Sequence, residues 1–240
     1  MTSKIELVVF DMAGTTIQDH NEVEKCFNQA MEETGLETSH DEIHAMMGWS
    51  KITVFETLWR KKCPHLNQDE LQELISNSFS KFKEILENHY LTQEINPTEG
   101  TVELFAFLKE KGVKIALTTG FYRLVTDIIL TRLNWNADFN VQNCGEELIN
   151  VSMASDEVRQ GRPAPYMLFK AMELCDVTDV KAVIKIGDTP SDLAEGKNAG
   201  CLYSCGITNG THSESELSKY DNDGLFKNMH HFKEFLETVL

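Results

Sequence analysis

The sequence is poor in basic residues. Its 22 Lys and Arg stand against 38 Asp and Glu, which gives a formal net charge of −16 at pH 7. A surface with this charge repels both nucleic-acid backbones and anionic lipids, so we expect neither as a partner. An anionic substrate would also be repelled at long range, and its site would therefore need a few well-placed cations.

Long hydrophobic runs are missing as well. No segment approaches the ~18 consecutive apolar residues that a membrane-spanning helix needs, so we expect no association with a membrane. The first ten residues, MTSKIELVVF, lack the basic start and apolar stretch of a signal peptide and pass directly into a predicted strand. We therefore expect a cytoplasmic protein.

Cysteine patterns typical of metal or redox sites are absent. The six cysteines include no C-x-x-C and no Cys/His cluster with zinc spacing. Cys201 and Cys205 lie on a predicted buried strand. Structural thiols in a reducing compartment are the expected role.

The most regular feature is a series of short apolar runs rich in Val and Ile, with amphipathic helices between them. Near-continuous apolarity is typical of parallel strands that are covered on both faces. The sequence therefore predicts an α/β fold built on a doubly wound, Rossmann-like parallel sheet. The predicted strands are 5–10, 113–118, 138–142, 182–187 and 201–206, and the predicted helices are 98–110, 121–133, 163–175 and 190–199.

Residues 17–96 break this alternation, because they contain no convincing strand. Amphipathic helical stretches at 21–33, 50–59 and 69–88 follow one another instead. We predict a helical cap domain at 17–96, inserted after the first strand. The core domain would then consist of residues 1–16 and 97–240.

Two acidic motifs follow predicted strands that are far apart in the chain. VVFDMAGTT places Asp11 at the end of the first strand, and VIKIGDTPSD places Asp188 and Asp192 after a later one. Parallel strands open their carboxyl ends into one crevice, so these carboxylates can converge. Mg²⁺ prefers hard oxygen ligands and would offset the three negative charges. The sequence therefore predicts a magnesium site at this edge of the sheet.

Two further residues are candidates for contact with a phosphoryl group. Thr119, in ALTTG, lies at a strand-to-helix turn, where its hydroxyl and the following amides can bind phosphate or cap the helix. Arg162, in GRPAP, precedes a proline at a predicted helix start. From its position alone, Arg162 could equally be an ordinary solvated residue.

The D-x-x-G-T opening and the distant G-D-x-x-x-D resemble the haloacid dehalogenase superfamily, whose members mostly transfer phosphoryl groups through an aspartate and Mg²⁺. The resemblance implies that Asp11 is the nucleophile and that Arg162 holds it and neutralises charge in the transition state. It also implies that the backbone carbonyl of Ala13 joins Asp11, Asp188 and Asp192 as a metal ligand. Most phosphatases of the superfamily carry an acid/base aspartate where this chain has Ala13.

The motifs TTG, GRPAP and GDTPSD, together with the cap stretch MGWSK at 47–51, are similar to phosphonoacetaldehyde hydrolases and the phosphonatase-like hydrolases. In those enzymes an M-G-x-x-K lysine forms a Schiff base with the substrate aldehyde, and Lys51 matches it. Breaking a phosphorus–carbon bond expels a carbanion, which an adjacent iminium can accept as an enamine. A lysine therefore replaces the leaving-group acid that Ala13 cannot supply. Lys51 would need a pKa below its reference value of ~10.4.

The match has departures that leave the role of Lys51 open. Val54 stands where phosphonoacetaldehyde hydrolases have a histidine, and Phe121 stands where they have a tyrosine, with Tyr122 one step later. Lys51 can form a Schiff base, anchor a distal anion as in related mutases and phosphatases, or be an ordinary surface lysine. The resemblance further implies that substrate is contacted by Thr15, Met47, Gly48, Gly120 and Arg123.

We expect a Mg²⁺-dependent hydrolase that acts on a small phosphonate or phosphorylated substrate through an aspartyl-phosphate. The alternatives are a phosphomonoester phosphatase, in which a good leaving group or a water replaces the missing acid, and a protein that binds a phosphorylated metabolite without turnover. A dehalogenase is disfavoured, since its chemistry needs no metal cluster. Relatives that cleave phosphonates often dimerise through cap helices. The apolar face of Phe55, Leu58 and Trp59 could carry a homodimer or pack the cap.

Overall fold

The structure is a computed structural model that describes residues 4–135 and 148–240. Within these ranges the chain forms one parallel sheet with helices on both faces, in the strand order β3-β2-β1-β4-β5-β6. The strands are β1 (Leu7–Asp11), β2 (Lys114–Thr119), β3 (Val151–Ala154), β4 (Val183–Gly187), β5 (Tyr203–Ile207) and β6 (Leu225–Phe226).

The described helices lie between these strands and after the last of them. Helices α1 to α5 lie between β1 and β2, α6 follows β2, α7 precedes β4, α8 follows β4, and α9 and α10 lie beyond β5. Their bounds are α1 (Glu22–Thr34), α2 (His40–His44), α3 (Lys51–Lys62), α4 (Gln68–Thr92), α5 (Thr101–Glu110), α6 (Arg123–Leu133), α7 (Tyr166–Leu174), α8 (Pro190–Ala199), α9 (Glu214–Leu217) and α10 (Met229–Val239).

Strand β1 explains why the fold has two cores. Its side chains alternate between the two faces of the sheet. Leu7 and Val9 are buried in the cluster that contains α7, whereas Val8 and Phe10 are buried in the cluster that contains α5 and α10. A strand that is apolar on both sides must be covered on both sides. The doubly wound α/β prediction is confirmed.

Most predicted strands match the structure, with small shifts at their ends. The predictions at 5–10, 113–118, 182–187 and 201–206 correspond to β1, β2, β4 and β5. The predicted strand at 138–142 lies outside the described residues. Strands β3 and β6 were not predicted, and their lengths of four and two residues are too short to give a hydrophobic pattern.

Helices α1, α3 and α4, all inserted after β1, share an aromatic core. Phe27 of α1 stacks on Phe82 of α4 with ring centroids 4.3 Å apart, and Phe55 of α3 lies 5.4 Å from Phe27. Leu58 and Trp59 are buried beside them. The apolar face of α3 therefore packs within the chain. A homodimer through the cap stays a prediction.

The chain leaves and re-enters the sheet through two segments that are bonded to each other. The amide of Gln18 donates to the carbonyl of Asn96 at 2.9 Å, and the amide of Thr98 donates to the carbonyl of Thr16 at 3.0 Å. This crossing point agrees with an insertion after β1. The division into a core of 1–16 and 97–240 and a cap of 17–96 stays a prediction.

Among the described residues, no helix combines the length and the apolar character that crossing a bilayer requires.

Candidate active site

The carboxylates of Asp11, Asp188 and Asp192 meet at the point where the strand order reverses. Asp11 ends β1, and Asp188 and Asp192 follow β4, the neighbouring strand on the other side of the reversal. Ligands of open α/β sheets bind at such a switch point. One oxygen from each carboxylate lies within 4.8 Å of the others, and all three residues are buried.

Asp188 is held in place by hydrogen bonds and close backbone packing. Its Oδ1 accepts from the Thr15 hydroxyl at 3.1 Å, and its Oδ2 accepts from the Thr211 amide at 2.6 Å. A Cβ built on Gly14, whose φ is +82°, would lie 2.2 Å from Asp188 Oδ2, and one on Gly210 would lie 2.4 Å from the same atom. Only glycine fits at these two positions.

The cluster lacks positive charge on the side of Asp188. Burial, together with the charges of Asp11 and Asp192, raises the pKa of Asp188 to about 8. Burial also raises the pKa of Asp11, although Arg162 opposes this shift. In the described part of the chain no cation pairs with Asp188. Three closely spaced carboxylate oxygens, with no cation paired to Asp188, form a ligand set that fits a Mg²⁺ ion.

Arg162 binds the other side of the cluster. It is buried, and its Nη1 lies 2.6 Å from Asp11 Oδ1 and 2.9 Å from Asp192 Oδ1. Its Nε donates to Glu195 Oε2 at 3.1 Å, and its Nη2 donates to the Thr118 carbonyl at 2.6 Å. These contacts fix the guanidinium in one orientation beside Asp11.

Lys185 is a second buried cation that the sequence analysis missed. Its Nζ lies 2.9 Å from Asp192 Oδ1 and 3.3 Å from Glu195 Oε2, and it donates to the Thr118 hydroxyl at 3.0 Å. Although burial opposes the shift, Arg162 and Lys185 lower the pKa of Asp192. A signal was present in VIKIG, because a lysine inside a buried strand needs anionic partners.

Lys51, the first residue of α3, is buried in the same cavity as Asp11. Both residues line this cavity, which is small and partly open to solvent. The Lys51 ammonium lies 5.1 Å from the ring centroid of Phe121 and 5.7 Å from that of Phe27. Burial lowers the pKa of Lys51 from 10.5 to about 8, against the opposing charges of Asp11 and Asp19. A neutral amine is thus accessible near neutral pH.

The MGWSK loop that carries Lys51 packs directly on the ends of β2 and β4. A Cβ on Gly120, after β2, would lie 2.4 Å from the Trp49 carbonyl oxygen. A Cβ on Gly48, whose φ is +83°, would lie 2.4 Å from the Thr189 hydroxyl and 2.5 Å from that of Ser191. Two glycines therefore permit the backbone approach that brings α3 over the carboxylates.

The remaining predicted site residues divide into two groups. Ala13, Met47, Gly48, Thr119 and Gly120 line the cavity. Thr15 and Arg123 are not among its lining residues. The Thr15 hydroxyl donates to Asp188. Both terminal nitrogens of Arg123 donate to the Ser152 hydroxyl at 3.1 and 3.2 Å. The structure does not place these two side chains in the cavity wall, and their contact with a substrate stays a prediction.

Asp19 lines the cavity and was not predicted. Its Oδ1 accepts from the Glu22 amide at 2.6 Å and so caps the start of α1. Burial, the hydrogen bond to Glu22 and the Glu22 charge raise the pKa of Asp19 to about 7. An aspartate ahead of a helix ordinarily indicates only a cap, so nothing in the sequence pointed to the cavity.

The residues that depart from the phosphonoacetaldehyde hydrolase pattern have defined positions relative to the cavity. Val54 is buried and does not line the cavity, whereas Phe121 does. The Tyr122 hydroxyl donates to Glu87 Oε1 at 2.8 Å and is committed there. Neither Val54 nor Tyr122 can therefore supply a proton to a ligand beside Lys51.

Comparison with known proteins agrees with this geometry. Residues 5–200 match the family described as hydrolase, haloacid dehalogenase-like hydrolase. The chain is 33% identical over 239 residues to a phosphonoacetaldehyde hydrolase of Bacillus cereus, which covers 91% of this chain and 83% of that protein. A protein with the same name from Bacillus mycoides is 32% identical over 233 residues, covering 92% of this chain and 82% of that protein.

A crystal structure of a phosphonoacetaldehyde hydrolase-like protein from Oleispira antarctica has a similar fold. It superposes with a TM-score of 0.79 and covers 99% of this chain and 93% of its own. The sequence identity is 18%, so this likeness concerns the fold alone.

Proposed function

This chain belongs to the haloacid dehalogenase-like hydrolases, and we propose that within this family it hydrolyses the phosphorus–carbon bond of a small phosphonate aldehyde. The observation that carries the proposal is the buried amine of Lys51, in one cavity with Asp11 and with a pKa of about 8. A lysine that only anchors an anion gains nothing from a lowered pKa, whereas a lysine that attacks a carbonyl needs one.

The proposed reaction begins at Lys51. The neutral amine adds to the aldehyde carbon, and loss of water leaves a protonated imine between Lys51 and the substrate. The Asp11 carboxylate then attacks phosphorus, which forms an oxygen–phosphorus bond and breaks the phosphorus–carbon bond. The released electron pair moves into the iminium and leaves an enamine on Lys51. Protonation of the enamine carbon and hydrolysis of the imine release the aldehyde product.

Hydrolysis of the aspartyl-phosphate on Asp11 completes the turnover. The guanidinium of Arg162, fixed 2.6 Å from Asp11, orients the attacking oxygen and stabilises the charge that develops on the phosphoryl group. Thr119 at the end of β2 and Gly120 directly after it both line the cavity, and in this proposal they bind the phosphoryl oxygens.

A Mg²⁺ ion fits the carboxylate cluster. Asp11, Asp188, Asp192 and the carbonyl of Ala13 would hold it, and when bound it neutralises these carboxylates and lets an anionic phosphoryl group approach Asp11.

Asp19 is the proposed proton-transfer group for the imine steps. It lines the cavity, and its pKa of about 7 lets it both accept and donate a proton near neutral pH. This carboxylate can serve where Val54 replaces the histidine of phosphonoacetaldehyde hydrolases.

The cap contributes by carrying Lys51 to the core. We propose that residues 17–96 move as a unit over a core of 1–16 and 97–240, and that closure excludes water from the imine. The cavity that Asp11 and Lys51 share is small, which favours a substrate of a few heavy atoms.

A phosphomonoester phosphatase is the second candidate. The specific observation in its favour is the pair of departures at Val54 and Phe121. In this alternative Lys51 binds a distal anion as a cation, and a good leaving group or a water replaces the acid missing at Ala13.

The two candidates are separated by phosphate release from phosphonoacetaldehyde and from a panel of small phosphomonoesters, measured for the wild type and for Lys51→Arg. The arginine keeps the cation but cannot form an imine. We expect release from the phosphonate in the wild type and its loss in Lys51→Arg, while Lys61→Arg, a variant of an exposed lysine on the same helix, behaves as the wild type. Phosphonate cleavage that survives in Lys51→Arg would refute the imine. Tight binding without any turnover would instead indicate a binding protein.

A further inference from the structure

A second group of potential metal ligands lies apart from the carboxylate cluster. Glu24 of α1 and the pair His40 and His44 of α2 each offer an atom within 4.8 Å of the others. Among the described residues this is one of two such groups, and the other is the aspartate cluster.

The geometry within this group is compact. His40 and His44 are four residues apart on α2 and therefore lie on the same helix face, with ring centroids 5.5 Å apart. His40 Nδ1 lies 2.5 Å from Glu24 Oε1. Glu24 is 7% exposed, so its carboxylate is already withdrawn from water beside the His40 ring.

Residues that follow β5 also contact this group. His44 Nε2 lies 3.1 Å from Glu216 Oε1 of α9. The ring of His212 packs on the ring of His44 with centroids 4.2 Å apart. His212 is 3% exposed, and its Nδ1 has no hydrogen-bond partner within the described ranges. Imidazole and carboxylate groups of α1 and α2 therefore lie close to those of the chain after β5.

We propose that Glu24, His40 and His44 bind a divalent transition ion of the Zn²⁺ type, and that Glu216 orients the His44 ring. Two imidazole nitrogens and one carboxylate form a ligand set that Zn²⁺ and Co²⁺ accept with a fourth position open to water. Mg²⁺ prefers oxygen ligands, so the two clusters select different ions. A carboxylate that accepts from the second nitrogen of a metal-bound imidazole is the usual supporting group.

The location gives such an ion a mechanical effect. Its ligands lie on α1 and α2, whereas Glu216 and His212 belong to the chain beyond β5. The neighbouring Thr211 amide donates to Asp188. A bound ion would therefore fasten the inserted helices to the loop that positions the carboxylate cluster.

The test is a titration of tag-free protein with Co²⁺, followed by visible absorption, and with Zn²⁺, followed by calorimetry, both in excess Mg²⁺. We expect one saturable equivalent of either ion. His40→Gln/His44→Gln should abolish this binding, and His230→Gln/His231→Gln, which removes two exposed histidines of α10, should leave it unchanged. Because the His40 side chain is 66% exposed, the single variant His40→Gln should fold normally and still weaken binding. No saturable binding, or binding unchanged in both His40 variants, would overturn the proposal.

A separate experiment tests the role of Glu216. Glu216→Gln should weaken Co²⁺ binding by about 10–100-fold, the usual cost of removing a carboxylate behind a metal-bound histidine. The glutamine can still complete the capping box with Ser213. Glu214→Gln, an exposed neighbour on the same helix, is the matched control. Equal affinity in Glu216→Gln and Glu214→Gln would remove Glu216 from the site.

Discussion

Replacement of Lys51 by methionine is expected to stabilise the protein while it destroys imine chemistry. Lys51 is 5% exposed and faces the rings of Phe27 and Phe121. Methionine has a similar length and no charge, so it can fill the same space without the cost of burying an ammonium group.

The magnitude follows from the pKa of Lys51. A fall from 10.5 to about 8, at about 1.4 kcal/mol for each pH unit, means that the folded state disfavours the ammonium by about 3 kcal/mol. At pH 7 Lys51 is protonated in the folded and the unfolded state, so this full cost is present. As pH rises from 8 to 10.5 the unfolded chain keeps a proton that the folded chain has lost, and the wild type gains stability.

The advantage of Lys51→Met should therefore shrink as the pH rises. We expect the free energy of unfolding to increase by about 3 kcal/mol at pH 7 and by only about 1 kcal/mol at pH 9.5. Urea denaturation at both pH values, in metal-free buffer, measures this difference. Lys227→Met, at an exposed position, is the control and should change stability by less than about 0.5 kcal/mol. If Lys51→Met is less stable than the wild type at pH 7, or its effect does not change with pH, the reasoning from burial is refuted.

Three other substitutions test the carboxylates. Asp11→Asn should abolish phosphate release from phosphonates and phosphomonoesters alike, because both reactions use the same nucleophile; residual release above about 1% of wild type would contradict a shared aspartyl-phosphate route. Asp188→Asn should raise the melting temperature in EDTA, since it removes a carboxyl group whose charged form is disfavoured by burial and by Asp11 and Asp192. It should also abolish the further rise on adding Mg²⁺, and a retained Mg²⁺ response in differential scanning calorimetry would argue against the proposed metal site. Asp19→Asn should slow imine formation about 10²–10⁴-fold in stopped-flow measurements while phosphomonoester hydrolysis stays unchanged, and equal losses in both assays would indicate a merely structural role as the cap of α1.

The sheet could be predicted wherever an apolar run was long enough to stand out. The runs that became β1, β2, β4 and β5 each contain five or six strand residues with near-continuous burial. The pattern around β3 is only VSMA, and β6 is the pair Leu225–Phe226. Such short strands are defined by the neighbours with which they pair, and a single sequence does not contain those neighbours. The same holds for α2 and α9, which are five and four residues long.

The site was predictable where topology alone brings residues together. Asp11, Asp188 and Asp192 follow strand ends, and a parallel sheet must gather such residues on one edge. The roles of Lys185 and Asp19 depend on side-chain partners that only the folded chain defines. Thr15 is the opposite case. It belongs to the D-x-x-G-T motif, but its hydroxyl binds Asp188 and it does not line the cavity.

Reduction with borohydride in the presence of phosphonoacetaldehyde tests the central claim most directly. An imine would be converted to a stable secondary amine, and mass spectrometry of the digested protein would find the added mass on the peptide that contains Lys51, together with loss of activity. The account predicts one modified lysine per chain, with labelling that increases with pH through about 8. An unmodified Lys51 peptide from protein that is actively releasing phosphate from this substrate would contradict it.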